Sequence, residues 1–217
     1  MAETRWEQAR ADERAAGRGG YGARFAQLVA EGADVEGEAR LADVLAPRRA
    51  RILDAGCGMG RVGAALQRRG HRVVGVDFDP EVLAQSRVTY PDLPLVQRRL
   101  DELTLADLDA AGHPTAYDLV VCVGNVMILL APDTERVVLA NLAALLAPEG
   151  RLLVGFHLSN APCEHWREYP VDELAADAAA VGLTVESRHA SYDLAPFTDT
   201  SEYAVHVLRH SSMVEST

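Results

Sequence analysis

Two aspartates, each closing a short apolar run, are the residues of this sequence best placed to do chemistry. Asp54 ends Arg51-Ile-Leu-Asp, and Asp77 ends Val73-Val-Gly-Val-Asp. Between them lies the loop Ala55-Gly-Cys-Gly-Met-Gly, followed by a helix expected from Arg61 to Arg69. Gly56, Gly58 and Gly60 let the backbone turn tightly and approach a ligand with no Cβ in the way. Strand, glycine loop and helix in that order make the place where open α/β sheets hold a nucleotide-like ligand. Gly58-x-Gly60-x-x-Gly63 fits the dinucleotide fingerprint, but a turn that merely packs helix on sheet would need the same glycines.

Asp54 separates the candidate ligands. A carboxylate at the strand end, just before the loop, would repel a pyrophosphate. The same carboxylate favours an ammonium, directly or through a water. S-adenosylmethionine carries an ammonium and a sulfonium and has no phosphate, so Asp54 points to it over NAD. Asp77 can accept hydrogen bonds from both hydroxyls of a ribose, a device that nicotinamide enzymes share. Its competing reading, a helix cap, falls better on Asp79 in Asp79-Pro80-Glu81.

These residues need a parallel sheet to hold them. The run ending in Asp54 is the first strand, and residues 71–77 the second. Residues 93–98, 117–123 and 151–157 follow as strands three to five, then 183–190 and 202–209. Helices are expected near 21–30, 35–45, 61–69, from Pro80, over 133–147 and over 171–181. The alternation predicts an α/β, doubly wound, Rossmann-like sheet with helices on both faces. Residues 1–20 read as a charged extension able to form a helix or stay partly disordered. Residues 21–210 read as one domain and 211–217 as a loose tail.

Composition removes several function classes. A net charge of −11 argues against a nucleic-acid partner. No apolar run is long enough to span a bilayer and no leader is visible, so no membrane is expected and the default location is cytoplasmic. Lysine is absent, which excludes Schiff-base and P-loop lysines. Cys57, Cys122 and Cys163 form neither a disulfide framework nor a metal-ligand pair, so no metal is expected; Cys57 and Cys122 read as small packing residues.

Several segments together resemble the class I S-adenosylmethionine-dependent methyltransferases. They are Ile52-Leu-Asp-Ala-Gly-Cys-Gly-Met-Gly-Arg, Val73-Val-Gly-Val-Asp-Phe-Asp-Pro, Tyr117-Asp-Leu-Val through Gly124-Asn125, and Leu146-Ala-Pro-Glu-Gly-Arg-Leu. Tyr169-Pro-Val-Asp-Glu-Leu leading to Val181-Gly-Leu continues the likeness, which spans about residues 50–209. The resemblance implies seven strands, the last inserted antiparallel beside the sixth. It also implies S-adenosyl-L-methionine as cofactor. Asp54, Gly56, Cys57, Gly58 and Gly60 would line the methionine end, Asp77 would bind the ribose and Phe78 would pack on the adenine. Gly124 and Asn125 would sit near the amino-acid part and the methyl group. The family often places an acidic residue after the third strand for the adenine amino group. Arg99 stands there and has only donors, so Asp101, Glu102 or the backbone near Leu100 must substitute.

Methyl transfer is largely a matter of in-line positioning, with a base where the acceptor must lose a proton. His157, at the end of the fifth strand, is the candidate base; a partly buried structural histidine is the competing reading. Arg24 is a candidate partner for the cofactor carboxylate. Trp6, Tyr21, Phe25, Trp166, Tyr192 and Phe197 would either line a lid or simply pack the N-terminal helix onto the sheet. With no added recognition domain, the expected partner is a small-molecule substrate and the protein a monomer or homodimer. Two other functions stay open: a non-catalytic S-adenosylmethionine-binding protein, and an NAD(P)-dependent oxidoreductase. The latter predicts a hydride-transfer constellation such as Tyr-x-x-x-Lys, which a lysine-free chain cannot supply.

Overall fold

Strand β1, Arg51–Ala55, lies third, beside the central β4, in a seven-stranded sheet of order β3-β2-β1-β4-β5-β7-β6. The other strands are β2 Arg72–Asp77, β3 Leu95–Gln97, β4 Tyr117–Cys122, β5 Leu146–His157, β6 Leu183–His189 and β7 Tyr203–His210. This computed structural model describes residues 2–17 and 21–211, with backbone alone for 21–23. The tail expected at 211–217 therefore lies, beyond Ser211, outside the described residues. Strands β1 to β5 run parallel, while β7 runs antiparallel to both β5 and β6. This is the doubly wound arrangement expected, with the last strand inserted before the sixth.

Alternation along the central strands feeds two cores. Leu53, Val120, Leu152 and Leu208 pack into one face, and Ile52, Leu119, Val121, Leu153 and Val207 into the other. Such strands must be apolar on both sides because helices cover both. From β1 the chain runs outward to β2 and β3, then returns to lay β4 on the opposite flank of β1. That reversal leaves a crevice at the carboxyl ends of β1 and β4, the place such sheets offer a ligand.

Helix α4, Arg61–Arg68, follows the glycine loop, and α5, Pro80–Thr89, starts where Asp79 caps it by accepting the Glu81 N–H at 2.8 Å. Two boundaries differ from the sequence reading. Helix α7 is Glu135–Ala144, shorter than 133–147, and β5 begins at Leu146, five residues early. The cause is a bulge in β5: Tyr117 pairs with Leu146 but Leu119 with Arg151, so the extra residues lie on β5, opposite Tyr117. The extended chain then passes so close that a Cβ on Gly150 would lie 2.8 Å from the Tyr117 carbonyl oxygen. Helix α6, Leu105–Ala110, was not anticipated, although Thr104 and Asp107 make the reciprocal cap that announces one. Helix α8, Val171–Ala180, leads into β6.

Three helices precede the sheet: α1 Arg5–Ala15, α2 Tyr21–Ala30 and α3 Gly37–Leu45. The charged residues at the N-terminus thus form α1, started by a capping box between Thr4 and Glu7. Among the described residues no helix is long and apolar enough to cross a membrane.

Candidate functional site

The crevice opens into a cavity of about 610 Å³, within the range that holds a drug-sized ligand. Its floor is the glycine loop. Gly56, Gly58 and Gly60 all adopt positive φ, of 75°, 54° and 82°. Glycine is required at Gly56 for a second reason: a Cβ there would lie 2.5 Å from Cγ2 of Val126. Cys57 packs beneath the loop in the space that Gly75 leaves, where a Cβ would be 2.9 Å from its sulfur. Burial pushes its thiol well above the ordinary value, so it is a packing group and not a thiolate.

Asp54 and Asp77 flank this loop and brace it. The Gly63 N–H donates to Asp54 Oδ2 at 2.9 Å, and the Gly58 N–H donates to Asp77 Oδ2 at 2.8 Å. Asp77 Oδ1 also accepts from the Asp79 N–H at 3.0 Å. Asp54 is only 2% exposed. Burial raises its pKa to about 7, against the Gly63 N–H and the Arg61 charge, while the charges of Asp77 and Glu38 push the same way as burial. Burial likewise lifts Asp77 to about 6, against the N–H groups of Asp79 and Gly58. The guanidinium whose charge acts on Asp54, that of Arg61, bonds Glu38 and the Val35 carbonyl. The cavity therefore presents two desolvated carboxylates that, among the described residues, no cation bonds, although Arg24, Arg61, Arg98 and Arg99 line the same cavity.

Of the residues expected at the site, Arg24, Asp54, Gly56, Cys57, Gly58, Asp77, Phe78, Leu100, Asp101, Gly124 and Asn125 all line the cavity. Gly60 sits just behind, as the N-cap of α4. Asp101 is held by Arg99 through Nε at 3.0 Å and Nη2 at 2.8 Å, and the Arg99 guanidinium lies 5.8 Å from the centre of the Phe78 ring. Arg99 thus presents the carboxylate of Asp101 to the cavity, although Arg99 itself cannot accept a hydrogen bond.

His157 is placed differently from the sequence reading. It does not line the cavity; it stands behind Asn125, with its Nδ1 2.9 Å from Asn125 Oδ1 and its ring edge-on to Tyr203. Partial burial lowers its pKa against the pull of Glu202, so it is a neutral imidazole at pH 7.

The second wall went largely unread in the sequence. Thr4, Trp6, Ala9 and Glu13 of the N-terminal segment face Leu129, Leu130 and Ala131 beyond β4, and Ala161 to Glu164 beyond β5. Of the aromatics named as lid or packing residues, Trp6 is, among the described side chains, the one that lines the cavity. Phe25 lies under Arg61, Phe197 under Arg188, Tyr192 bonds Tyr203, Trp166 packs on the core, and the Tyr21 side chain is outside the described residues. The Thr4–Glu7 capping box was the available signal for α1. For the two loops it was their place after the carboxyl ends of β4 and β5.

The family model of the methyltransferase domain matches residues 52–150. The chain is 30% identical over 145 residues to a ubiquinone biosynthesis O-methyltransferase of Aeromonas salmonicida, covering 61% of this chain and 59% of that protein. Its counterpart in Xylella fastidiosa is 36% identical over 106 residues, 48% of this chain and 41% of that one. The chain thus spans less than two thirds of the length of these curated relatives. Among solved structures it is 37% identical to a TehB-like S-adenosylmethionine-dependent methyltransferase of Corynebacterium glutamicum, with a TM-score of 0.77 over 88% of this chain and 96% of that one. A 1,6-didemethyltoxoflavin-N1-methyltransferase of Burkholderia thailandensis, solved with its substrate and S-adenosylhomocysteine, is 25% identical with a TM-score of 0.59 over 88% and 87%. Likeness over nearly the whole length of the Corynebacterium protein, joined to a carboxylate-flanked glycine cradle at the switch point of the sheet, places this chain in the S-adenosylmethionine-dependent methyltransferase family.

Proposed function

We propose that the protein moves the methyl group of S-adenosylmethionine to an oxygen or nitrogen of a small organic acceptor. The observation that carries this reading is the pair of buried carboxylates bracing the glycine loop, which backbone N–H groups bond and, among the described residues, no cation does. A dinucleotide would set its pyrophosphate against that charge. The donor set suits a cation with a vicinal diol and no phosphate. In this reading Asp54 faces the ammonium, with Gly56, Cys57 and Gly58 along the methionine chain, Gly60 shaping the turn and Arg24 at the carboxylate. Asp77 takes the ribose hydroxyls. Phe78, Leu100 and Asp101 surround the adenine, with Asp101 as the acceptor that Arg99 cannot be. Gly124 and Asn125 border the methyl group.

When bound, the cofactor would supply a methyl group on a positively charged sulfur, open to an acceptor lone pair, with the neutral thioether as leaving group and the acceptor's proton passing to solvent or a base. The chain's own task is to hold the two reactants in line and exclude water. Ala9, Leu129, Leu130, Ala161 and Pro162 form the mainly apolar wall facing the donor loop, which supports an acceptor with an apolar face. Glu13 and Glu164 stand on the same wall and give it hydrogen-bond acceptors for a polar edge. The relatives named for O-methylation and N1-methylation support oxygen or nitrogen as the acceptor atom.

Calorimetry with S-adenosylhomocysteine and with NADH tests the cofactor: binding of the first alone is expected, and binding of NADH alone would sink the reading. A screen of phenols, catechols and heterocyclic amines, read by S-adenosylhomocysteine release, tests turnover. Cofactor binding without turnover on any acceptor would instead favour a non-catalytic binding protein.

A further inference from the structure

We infer that His157 is a positioning residue, which in its Nδ1–H tautomer locks Asn125 and so holds the turn that packs against the glycine loop. The inference rests on the methyltransferase reading of the cavity, since it concerns what keeps that cavity in shape. Gly124 and Asn125 both adopt left-handed backbone, with φ of 73° and 78°. Glycine takes that conformation freely, whereas asparagine needs its surroundings to hold it there.

The holding contacts come from β5. The Asn125 N–H donates to the Gly155 carbonyl at 3.2 Å, and Asn125 Oδ1 accepts the His157 backbone N–H at 2.9 Å. A backbone N–H can only donate, so the side-chain atom it meets is the amide oxygen and the orientation of the Asn125 amide follows. That same oxygen lies 2.9 Å from His157 Nδ1. Two acceptors do not sit at that distance, so Nδ1 carries the proton and Nε2 is the bare nitrogen of a neutral ring. The ring is steadied in turn by Tyr203, edge-on at 4.8 Å, whose hydroxyl lies 2.8 Å from that of Tyr192.

The lock reaches the cofactor loop through one further residue. Val126 follows Asn125, and its methyls fill the space where a Cβ on Gly56 would stand. If the turn loosens, the loop loses the wall it closes against. No atom of His157 lines the cavity, so the histidine acts through Asn125 and not on the reacting atoms.

The test uses S-adenosylhomocysteine binding by calorimetry, which needs no acceptor. His157→Asn places an amide N–H where Nδ1–H stood and removes Nε2; His157→Ala removes both. We expect His157→Ala to weaken binding roughly tenfold and His157→Asn to recover it to within about threefold of wild type. In an Asn125→Gly background, His157→Ala should cost nothing further. The inference is overturned if His157→Ala binds like wild type, if His157→Asn is as weak as the alanine variant, or if the two positions add independently. Should His157→Ala not fold, His157→Phe answers in its place. It keeps a ring against Tyr203 and deletes the Nδ1–H, and affinity equal to wild type would refute the proposal. Wild-type protein that binds no S-adenosylhomocysteine would mark a failure of the cofactor reading, which is a distinct result.

Discussion

Replacing Asp54 by asparagine tests the electrostatic reading of the cavity most directly. Burial carries the Asp54 carboxyl from its ordinary 3.8 to about 7. A group whose folded pKa is raised favours the folded state below the unfolded pKa, and that contribution is lost as pH rises through the folded value. At about 1.4 kcal/mol per pH unit, ionising Asp54 in the empty cavity costs up to about 4 kcal/mol, incurred between pH 4 and pH 7. Asparagine keeps an oxygen for the Gly63 N–H and carries no charge, so the variant escapes that cost. His206 works in the opposite sense. Its burial lowers the pKa from 6.5 to about 3, so acid destabilises the fold through it. The difference between variant and wild type cancels that term and isolates Asp54.

Urea unfolding of both proteins at pH 5, 6, 7 and 8, without ligand, is the assay. The Asp54→Asn protein should be the more stable at pH 8, by a substantial part of the 4 kcal/mol, with the gap closing toward pH 5. Parallel stability curves would refute the argument. Ligand binding gives the mirror image. A cation beside Asp54 needs the carboxylate ionised, so below pH 7 a proton must leave. Wild-type affinity for S-adenosylhomocysteine should fall up to about tenfold per pH unit from 7 to 5. Calorimetry in buffers of different ionisation enthalpy counts the proton released, and a count of zero at pH 6 would contradict the mechanism.

Three further outcomes are expected. Asp77→Asn turns an amide N–H₂ toward one of the two backbone donors that now bond its carboxylate, and should weaken S-adenosylhomocysteine binding by about 1–3 kcal/mol in a calorimetric titration. Gly56→Ala meets both a left-handed backbone and Val126 at 2.5 Å; chemical unfolding should show about 2–4 kcal/mol lost, with cofactor binding abolished. Trp6→Phe removes the indole N–H that bonds Asp79 Oδ2 at 2.8 Å; stopped-flow fluorescence should show faster S-adenosylhomocysteine release, for at most about 1 kcal/mol of stability by urea titration.

The sheet and the donor side were legible because local chemistry there is continuous along the chain. Ile52 to Gly63 holds a buried strand, a loop of left-handed glycines and a helix start within one stretch, and each piece has a pattern of its own. Asp79-Pro80 announced α5 in the same way. The limits of α7 and β5 were not legible, because a bulge opposite Tyr117 decides where β5 starts and no local pattern encodes a partner strand's register. His157 illustrates a different limit. Its position at the end of β5 was readable, but the atom its ring faces depends on a left-handed Asn125 contributed by another strand's loop.

Helix α1 was the hardest element to read, and the reason is physical. Its inward face is marked by an arginine: Arg10 is 6% exposed, and its guanidinium bonds Glu81 at 2.7 Å, bonds Glu13 and lies 5.8 Å from the centre of the Trp6 ring. Hydrophobic periodicity cannot flag a helix that buries a charge, because burial is tolerated only once acidic partners from elsewhere are in place. Of the acidic groups around Arg10, Glu13 belongs to α1 itself, while Glu81 and Asp79 come from the start of α5. There Asp79 caps the helix, donates its N–H to Asp77 and accepts the Trp6 indole. One aspartate therefore joins the helix that covers the cavity to the carboxylate assigned to the ribose. It follows that loosening α1 should be felt at Asp77 before it is felt at Asp54, whose hydrogen bond runs to Gly63 in α4. The two ends of the bound cofactor should then respond separately, with the adenosine half sensing α1 and the methionine half sensing the glycine loop.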